Sequence, residues 1–495
     1  MMNVINMHGG ESPITTESIE AGAIGAPQKT ADRPLDKVQK IVDATPPIDL
    51  LAMAEKMFDL PLLDDKGNVR RQSQNELIVM TIILFDEAIA KAGLGACIIN
   101  GIVHLYDGTH WRPITDPEFL SLIGNYAVNL GCPEVGFTIF STREKLVKQF
   151  YSVHEGKSYH RPHQSCLINL LNGTLEITPK AEKLRDFRKQ DMLTHQLPFE
   201  YDPDAKCPLF DKYLERVLPD KERQRILAEF IGWIFLRDLK LEKVLVLYGD
   251  GHNGKSVFFD VSNALLGQTN ITNFGLSSLS KMENRPVLGT ALLNFGSEIN
   301  ERCDADLLKK LASGEPVEAR QLYKDPFVLR DYARLAFNSN VLPRNTEHTH
   351  GFYRRFLIVE FEETISQDEK DPDLARKIIE SELPGVFNWV IEGVRRLRHQ
   401  RKFSPCAASE AALASYQEES DTTALFLEEC GWKSCPDNRV EKKDLYAYYR
   451  EYCRDSGHMP LNKNNFGNRL LRTHQIGDCK SGNSRFWKLT QESPH

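Results

Sequence analysis

The spacing of apolar residues predicts an alternation of helices and strands over the first half of the chain. Between residues 76 and 200, hairpins are expected to turn at Asp107–Gly108 and at Asn172–Gly173. The segment Asp220–Phe235 has helical spacing, with Asp220 as a plausible N-cap. An apolar run that starts at Val244 then enters a glycine-rich loop. This pattern predicts a buried strand that leads through a tight loop into a helix.

Apolar strands followed by polar side chains are predicted in the second half as well. "ALLNFGSEIN" is expected to be a strand that ends at Glu298, and "ARLAFNSNVLPR" one that ends at Asn340. "GFYRRFLIVEF" places Arg354 and Arg355 just before a further strand. Near the end, "NNFGNRLLRT" has helical spacing and "KSGNSRFWKL" predicts a turn into a strand. A helix followed by a basic hairpin suggests a winged helix.

Composition adds limits on location and on thiol chemistry. The chain has 495 residues and a net charge of -7, and its ten cysteines contain no C-x-x-C pair. Its first residues lack a basic-then-apolar signal pattern, and the longest apolar run, Leu77–Phe85, is too short to span a bilayer. We therefore expect a cytoplasmic protein with reduced thiols and no membrane association.

The loop after the Val244 strand carries the strongest chemical signal. Its spacing fits G-x-x-x-x-G-K-[ST] with a strand before it and a helix after it, which is the pattern of a P-loop. Glycines allow backbone N–H groups to converge on phosphate, and the helix start adds a partial positive charge. The candidate nucleotide-binding residues are Gly249, Asp250, Gly251, His252, Asn253, Gly254, Lys255, Ser256 and Val257. Lys255 would reach the β- and γ-phosphates, and Ser256 would ligate Mg²⁺.

Three downstream positions suit nucleotide hydrolysis, although each has a simpler interpretation. Glu298 could hold the Mg²⁺ shell and polarise water, or could be a solvated acid at a strand end. Asn340 could orient water against the γ-phosphate, or could be a turn former. Arg355 or Arg354 could stabilise transition-state charge in a neighbouring subunit, or could lie on a solvated surface.

The order of these motifs resembles the superfamily 3 helicases, specifically the phage and poxvirus type of primase-helicase within the AAA+ class. The resemblance implies an α/β fold with an AAA+ P-loop ATPase core, an N-terminal α/β accessory domain and a C-terminal winged helix. It implies ATP and Mg²⁺ as cofactors, Lys255, Ser256 and Glu298 at the metal and nucleotide, Asn340 as sensor and Arg355 or Arg354 as finger. One departure is Ser297 where many members carry a second acid, so the general base stays open.

The resemblance also extends to DNA contacts. "SGEPVEARQLYKDPFVLRDYARLAF" looks like the family insertion that carries a pore hairpin, which implies that Lys324 near its tip and Arg320 touch the DNA backbone. No acidic triad or zinc module of a primase is visible in residues 1–240. Any priming would then belong to a separate primase.

Residues 461–489 carry six Lys or Arg residues against the single acid Asp478. We expect DNA contacts here, and a solvated basic face or a protein-docking module is the alternative. The candidate DNA-binding residues of this stretch are Lys463, Arg469, Arg472, Lys480 and Arg485. A zinc site is disfavoured because the spacing and the apolar helical surroundings do not suit it; its ligands would be Cys430, Cys435, Cys453 and His458. His348 and His350 are interpreted as loop residues.

These observations divide the chain into six predicted segments. They are a mobile tail with a short helix (1–75), an N-terminal α/β accessory domain (76–204), a helical connector (205–240), a superfamily 3 AAA+ ATPase/helicase core (241–400), a linker (401–420) and a winged-helix-like DNA-binding domain (421–490).

The expected function is that of an ATP-dependent DNA helicase in a phage, plasmid or mobile-element replication system. We expect a ring, a homo-hexamer, that translocates on single-stranded or forked DNA with ATP at subunit interfaces, beside separate primase or replication proteins. The alternative is a P-loop ATPase that acts as a DNA-binding initiator or loader, or as a defence switch, without processive unwinding. Strand separation of a forked duplex distinguishes the two.

Overall fold

The structure is a computed structural model that describes residues 34–154, 166–297, 299, 304–321, 325–343 and 350–491. It is a mixed α/β protein in which more residues lie in helices than in strands. Within these residues, no helix is long and apolar enough to span a membrane. The predicted tail up to residue 33 lies outside the described residues.

The first part of the described chain is a helical unit with a small antiparallel sheet. Its elements are α1 (Pro34–Ala44), α2 (Leu50–Phe58), α3 (Gln74–Lys91), β1 (Gly95–Ile99), β2 (Ile102–Tyr106), β3 (Trp111–Pro113), α4 (Asp116–Asn129), α5 (Glu134–Thr138) and α6 (Phe140–His154). The hairpin predicted at Asp107–Gly108 is confirmed between β2 and β3, and its turn is held because the Asp107 carboxylate accepts from the Thr109 and His110 N–H groups.

The segment 1–75, predicted as a mobile tail with a short helix, holds two helices from residue 34 onward, so residues 34–58 are ordered rather than mobile. Helices α1 and α2 belong to the same hydrophobic core as α3 and α4, and Val38 and Val42 of α1 are fully buried in it. Ser73 also forms a capping box with Glu76 at the start of α3. Burial of one apolar face therefore orders a segment whose composition alone suggested a mobile chain.

The next elements connect the N-terminal unit to the central sheet. They are β4 (Cys166–Leu170), β5 (Gly173–Ile177), β6 (Glu182–Arg185), α7 (Pro208–Val217) and α8 (Lys221–Trp233). The turn at Asn172–Gly173 and the Asp220 cap of α8 are both confirmed. The hairpin of β4 and β5 shares one core with α7, α8 and the following sheet, whereas residues 38–150 have a core of their own. The β4–β5 hairpin thus packs with the central sheet, although it lies within the segment 76–204 that was predicted as one accessory domain.

A parallel five-stranded sheet forms the centre of the molecule. Its region comprises β7 (Val244–Tyr248), α9 (Lys255–Leu266), β8 (Ile271–Thr272), α10 (Leu276–Leu279), β9 (Leu293–Gly296), α11 (Ala305–Ser313), β10 (Val317–Arg320), β11 (Pro326–Leu329), β12 (Arg334–Ser339), α12 (His350–Tyr353), β13 (Phe356–Glu360), α13 (Leu374–Ser381) and α14 (Leu383–Gln400). The strand order is β13-β7-β12-β9-β8. Because all pairs are parallel, the segments that follow β7, β9 and β12 meet at one edge.

Helices cover both faces of this sheet. One face carries α8, α9 and α14, and the other carries α11 and α12. Helices α8 and α14 lie so close that a Cβ on Gly393 would come within 2.3 Å of the Ala228 carbonyl oxygen, so glycine is required there. Burial on both faces explains why the strands read as continuous apolar runs in the sequence.

The predicted linker 401–420 is largely a helix, so that prediction is wrong. Helix α15 (Ala407–Glu419) packs along β13, and the buried ring of Tyr416 meets Tyr353 and Phe356 edge-on at centroid distances of 5.2 and 5.6 Å. The Tyr416 hydroxyl donates to the Pro343 carbonyl. Apolar contacts with the sheet stabilise a helix here, even though the sequence just before it is charged and contains proline.

The last part of the chain is a small unit with its own core. Its elements are α16 (Thr422–Glu429), β14 (Trp432–Ser434), β15 (Val440–Glu441), α17 (Lys442–Asp455), α18 (Lys463–Arg472), β16 (Asp478–Ser481), β17 (Ser484–Trp487) and β18 (Leu489–Gln491). The predicted helix and the predicted basic hairpin are confirmed as α18 and as β16 with β17. Helix α18 is held because Phe466 stacks on Tyr449 at 4.2 Å and Leu470 is fully buried.

Candidate functional site

The loop between β7 and α9 adopts a conformation that its glycines make possible. Gly249 and Gly254 have φ angles of +146° and +83°. A Cβ on Gly249 would lie 2.5 Å from the Phe361 carbonyl oxygen. The loop is tied to the segment after β13, because Asn253 Nδ2 donates to the Phe361 carbonyl at 3.0 Å and the His252 carbonyl accepts from the Ile365 N–H at 2.9 Å. The loop is therefore preformed by the chain itself.

Helix α7 packs against this loop, a contact that the sequence did not predict. The Tyr213 hydroxyl donates to the Gly254 carbonyl at 2.8 Å. A Cβ on Gly254 would lie 2.8 Å from Val217 Cγ1. Burial raises the pKa of Tyr213, so its hydroxyl stays protonated and remains a donor. No local motif marks this helix, because its contribution depends on a contact between residues far apart in the chain.

Lys255 lies at the start of α9 and is only 4% exposed. Its Nζ donates to the Gly249 carbonyl, across the mouth of the loop. Burial lowers the pKa of Lys255, while the nearby Asp250 carboxylate acts in the opposite direction. The next residue, Ser256, is exposed on the first turn of α9. A cation and a hydroxyl are thus presented together at the N-terminal end of a helix, where anions are favoured.

A cleft of about 1270 Å³ opens over the loop and brings the predicted polar residues together. Its walls include the loop, Ser297 after β9, and Asn338 and Asn340 at the end of β12. Glu298, the predicted acid, lies outside the described residues, and its neighbour Ser297 marks where that segment reaches the cleft. The parallel sheet explains this convergence, since three strand ends share one edge.

The residues present fit a nucleoside triphosphate with Mg²⁺. The loop offers phosphate a helix N-terminus and the Lys255 cation. The lining also includes the apolar or aromatic side chains of Leu209, Tyr213, Val217, Ile365 and Leu374, interspersed with charged ones such as Lys212, Arg216 and Glu369. In the described part of the chain no three His, Cys, Asp or Glu side chains cluster as a preformed metal site. The predicted magnesium ligands Ser256 and Glu298 therefore stay a prediction.

The two predicted arginines lie at the opposite edge of the sheet and differ sharply in environment. Arg355 is 8% exposed and donates to Ser313 Oγ at 2.8 Å and to the Gly351 carbonyl. The side chain of Arg354 is 52% exposed and pairs with Glu242 at 3.0 Å. Arg355 is thus committed to contacts inside its own subunit, whereas Arg354 faces outward.

A hairpin lies where the family insertion was predicted, as the antiparallel pair β10 and β11, in which Arg320 faces Pro326, and its place in a pore stays a prediction. Arg320 forms an ion pair with Glu283, so part of its charge is neutralised within the chain. Lys324, predicted near the tip of this hairpin, lies outside the described residues. The hairpin lies between β9 and β12 in the chain, which is where the family insertion was predicted.

The basic residues predicted in the C-terminal unit fall into two groups. Lys463, Arg472, Lys480 and Arg485 are exposed. Arg469 instead forms an ion pair with Asp421 at 2.9 Å, which ties α18 to the cap of α16. In the same unit Cys453 is fully buried in the apolar core, where burial raises the pKa of its thiol.

Three family models match successive parts of this chain. A model described as D5 N terminal like matches residues 84–219, and one described as poxvirus D5 protein-like matches residues 418–491. Between them, a family of unknown function, DUF5906, matches residues 247–355. The D5-type matches therefore flank the cleft on both sides, and the last one coincides with the C-terminal unit.

Individual relatives are more distant. The chain is 22% identical over 236 residues to "Putative helicase L207/L206" of Acanthamoeba polyphaga mimivirus, a match that spans 45% of this chain and 24% of that protein. It is 25% identical over 174 residues to the uncharacterized mitochondrial protein ymf21 of Marchantia polymorpha, which covers 32% of this chain and 92% of that protein. Apo structures of the NrS-1 C-terminal region cover 82% of this chain and 98% of theirs, at 9–10% identity and TM-scores of 0.43 and 0.44.

Proposed function

Because this chain belongs to the D5-type primase-helicases of phages and poxviruses, we propose that it is an ATP-dependent DNA helicase that works as a ring. The observation that carries the proposal is the cleft in which the preformed loop of Gly249–Gly254, Lys255 and Asn340 share one edge of a parallel sheet. ATP and Mg²⁺ are its cofactors in this proposal.

Each part of the cleft takes one part of the nucleotide. The loop amides and Lys255 would hold the β- and γ-phosphates, and the side chains of Tyr213 and Ile365 would offer the base an apolar contact. Ser256 and Glu298 would hold Mg²⁺, which neutralises charge on the phosphates. Asn340 orients the attacking water from the end of β12. Because Ser297 replaces a second acid, Glu298 is the one carboxylate assigned to activate that water.

The separation between the cleft and the arginines supports the proposal of a ring. Strand β13 has five residues, so it carries the chain about 16 Å from the arginine edge to the cleft edge at about 3.3 Å per residue. Neither arginine can therefore serve the nucleotide of its own subunit. A neighbouring copy that places this edge against the cleft would supply one, and the exposed Arg354 suits that role better than the buried Arg355.

In this proposal, two elements of the chain bind DNA. Lys324, which lies between β10 and β11 in the chain, would contact DNA in a central channel, and the C-terminal unit adds the exposed cations Lys463, Arg472, Lys480 and Arg485. Cations that contact phosphates supply affinity that is independent of sequence and sensitive to salt. Their separation from the cleft allows ATP hydrolysis and DNA binding to be tested independently.

The test is ATP hydrolysis with and without single-stranded DNA, together with unwinding of a forked duplex, on the full chain. We expect DNA to stimulate hydrolysis and the fork to be opened only with hydrolysable ATP. Negative-stain images with an ATP analogue and DNA should show rings. ATPase activity and DNA binding without strand separation would instead support the initiator or loader alternative. ATPase activity that ignores DNA would favour a defence switch.

A further inference from the structure

Helix α18 carries exposed asparagine side chains that do not stabilise the helix. Its ten residues include Asn464, Asn465 and Asn468, all exposed. Asparagine is a poor former of helix interiors, so Asn468 costs up to about 0.7 kcal/mol relative to alanine. Within the described residues the side chains of these three asparagines make no hydrogen bond, and only Asn462 acts as a cap, accepting from the Asn465 backbone N–H at 2.9 Å. Their side chains therefore remain available to an external partner.

The exposed residues form one stripe on the side opposite the core. Phe466 and Leu470 face the core, and Asn464, Asn468 and Arg472 follow at intervals of four on the outside. No aromatic side chain lies on this outward stripe. Single-strand binders use aromatic platforms on which bases stack, so amides and a cation on a helix favour a duplex groove instead.

The hairpin of β16 and β17 adds cations beside this stripe. Trp487 is buried against α18, where a Cβ on Gly467 would come within 3.3 Å of its ring. Alternation along β17 puts Arg485 on the same face of the hairpin as Trp487, and its cross-strand partner is Lys480. Both cations thus lie on the face that continues from α18 toward the tip of the hairpin.

The acids beside this surface are paired inside the unit. Asp478 pairs with Lys442 at 2.5 Å, Asp421 pairs with Arg469 at 2.9 Å, and Glu441, which lies next to Ser484 and Lys463, pairs with Lys443 at 3.2 Å. The exposed charge of the surface is therefore positive, which complements phosphates. At ten residues α18 is about 15 Å long, at about 1.5 Å per residue, and a single helix fits the major groove, about 12 Å wide.

We propose that α18 enters the major groove of duplex DNA, where Asn464, Asn468 and Arg472 read base edges while Lys480 and Arg485 hold the phosphates. The inference rests on the proposed function and makes it more specific, because it assigns a sequence preference and a double-stranded target to the C-terminal unit. An asparagine amide offers one donor and one acceptor that match the N7 and N6 atoms of adenine. The preferred site should accordingly contain adenine.

The experiment uses the full chain without nucleotide and a pool of short duplexes with a randomised central segment. Repeated selection should enrich a motif, and the selected duplex should bind about 5- to 100-fold more tightly than a scrambled duplex or than its own separated strand. Asn468→Ala should erase this preference while leaving affinity for the scrambled duplex and its salt dependence unchanged. Alanine favours helix, so loss of α18 would not explain that result.

Two further variants complete the test. Lys480→Ala should weaken binding to selected and scrambled duplexes equally and lower the slope of log affinity against log salt by about 0.9. Asn438→Ala, the same chemical change in the same unit but on the segment before β15, should behave like the unaltered protein. Failure of any motif to enrich, tighter binding of the single strand, or an unchanged salt slope for Lys480→Ala would each overturn the inference.

ATPase activity of the same preparations separates this inference from the proposed function. Normal DNA-stimulated hydrolysis with no duplex preference would contradict the base-reading assignment but not the proposed motor. A duplex preference without any ATPase activity would leave base reading intact and contradict the motor.

Discussion

The nucleotide cleft and the exposed C-terminal cations hold their polar side chains in opposite ways. In the cleft, Lys255, Asn253 and Tyr213 are buried and already hydrogen-bonded to the backbone of the chain. On the C-terminal surface, Lys480 and Arg485 are exposed at the end of a hairpin. Removing the buried Lys255 cation should therefore disable the cleft, whereas removing one hydrogen bond that supports the loop should only weaken it. Exposed groups should contribute independently and in a salt-dependent way.

The largest effect is expected for Lys255→Ala. Removal of the buried cation should abolish ATP hydrolysis because nothing else in the loop neutralises the transferred phosphate, while binding of DNA to the C-terminal unit should persist. Steady-state ATPase assays and DNA binding on the same sample measure both. Lys402→Ala, at an exposed lysine outside the cleft, is the control. A folded Lys255→Ala protein with normal turnover would rule out this site.

The next effect concerns the two arginines, which sharpen the contrast between buried and exposed groups. Arg354→Ala should reduce turnover by a factor on the order of 10³, as expected for an arginine finger, with little change in stability. Arg355→Ala should lower the free energy of unfolding by about 1–3 kcal/mol, because Ser313 loses its buried partner. Turnover and denaturant unfolding are measured for both.

Mixed rings test whether either arginine acts across subunits. Arg354→Ala subunits retain their own Lys255, so mixing them with Lys255→Ala subunits should rebuild some intact interfaces and recover part of the ATPase activity. If activity is recovered with Arg355→Ala subunits instead, the arginine finger is Arg355 rather than Arg354. No recovery at any ratio, with subunit exchange confirmed, would contradict the role across subunits.

Lys324→Ala tests an exposed element that is separate from both regions. Basal hydrolysis should remain near normal because the hairpin of β10 and β11 does not line the cleft. DNA stimulation and fork unwinding should be lost, since grip on the phosphate backbone is weakened. Unwinding at the rate of the unaltered protein would remove the pore assignment.

The smallest effect is expected for Tyr213→Phe. It removes one hydrogen bond to the Gly254 carbonyl, worth about 0.5–1.5 kcal/mol, so ATP affinity should fall by roughly 2- to 12-fold. Nucleotide titration measures the change, and Tyr448→Phe at an exposed ring outside the cleft is the control. An unchanged affinity would mean that the loop holds its shape without α7.

Much of the fold could be predicted because its signals are local. The turns at Asp107–Gly108 and Asn172–Gly173, the Asp220 cap and the strand before Gly249 all follow from residues next to each other in the chain. The helix at 34–44 and the packing of 407–419 on the sheet were not predicted, because polar positions in these segments concealed narrow apolar faces. Those faces become recognisable only when the partner that buries them is known.

The sequence by itself determined the loop chemistry, the order of strand ends and the basic character of the C-terminal unit, because each depends on residue type and short spacing. Only the tertiary structure decided which cations are available. It buried Arg355 and exposed Arg354, and it paired Arg469 with Asp421, 48 residues away. It also placed Tyr213 under Gly254, 41 residues away. Such pairings arise when packing brings distant segments together, so no local pattern in the chain encodes them.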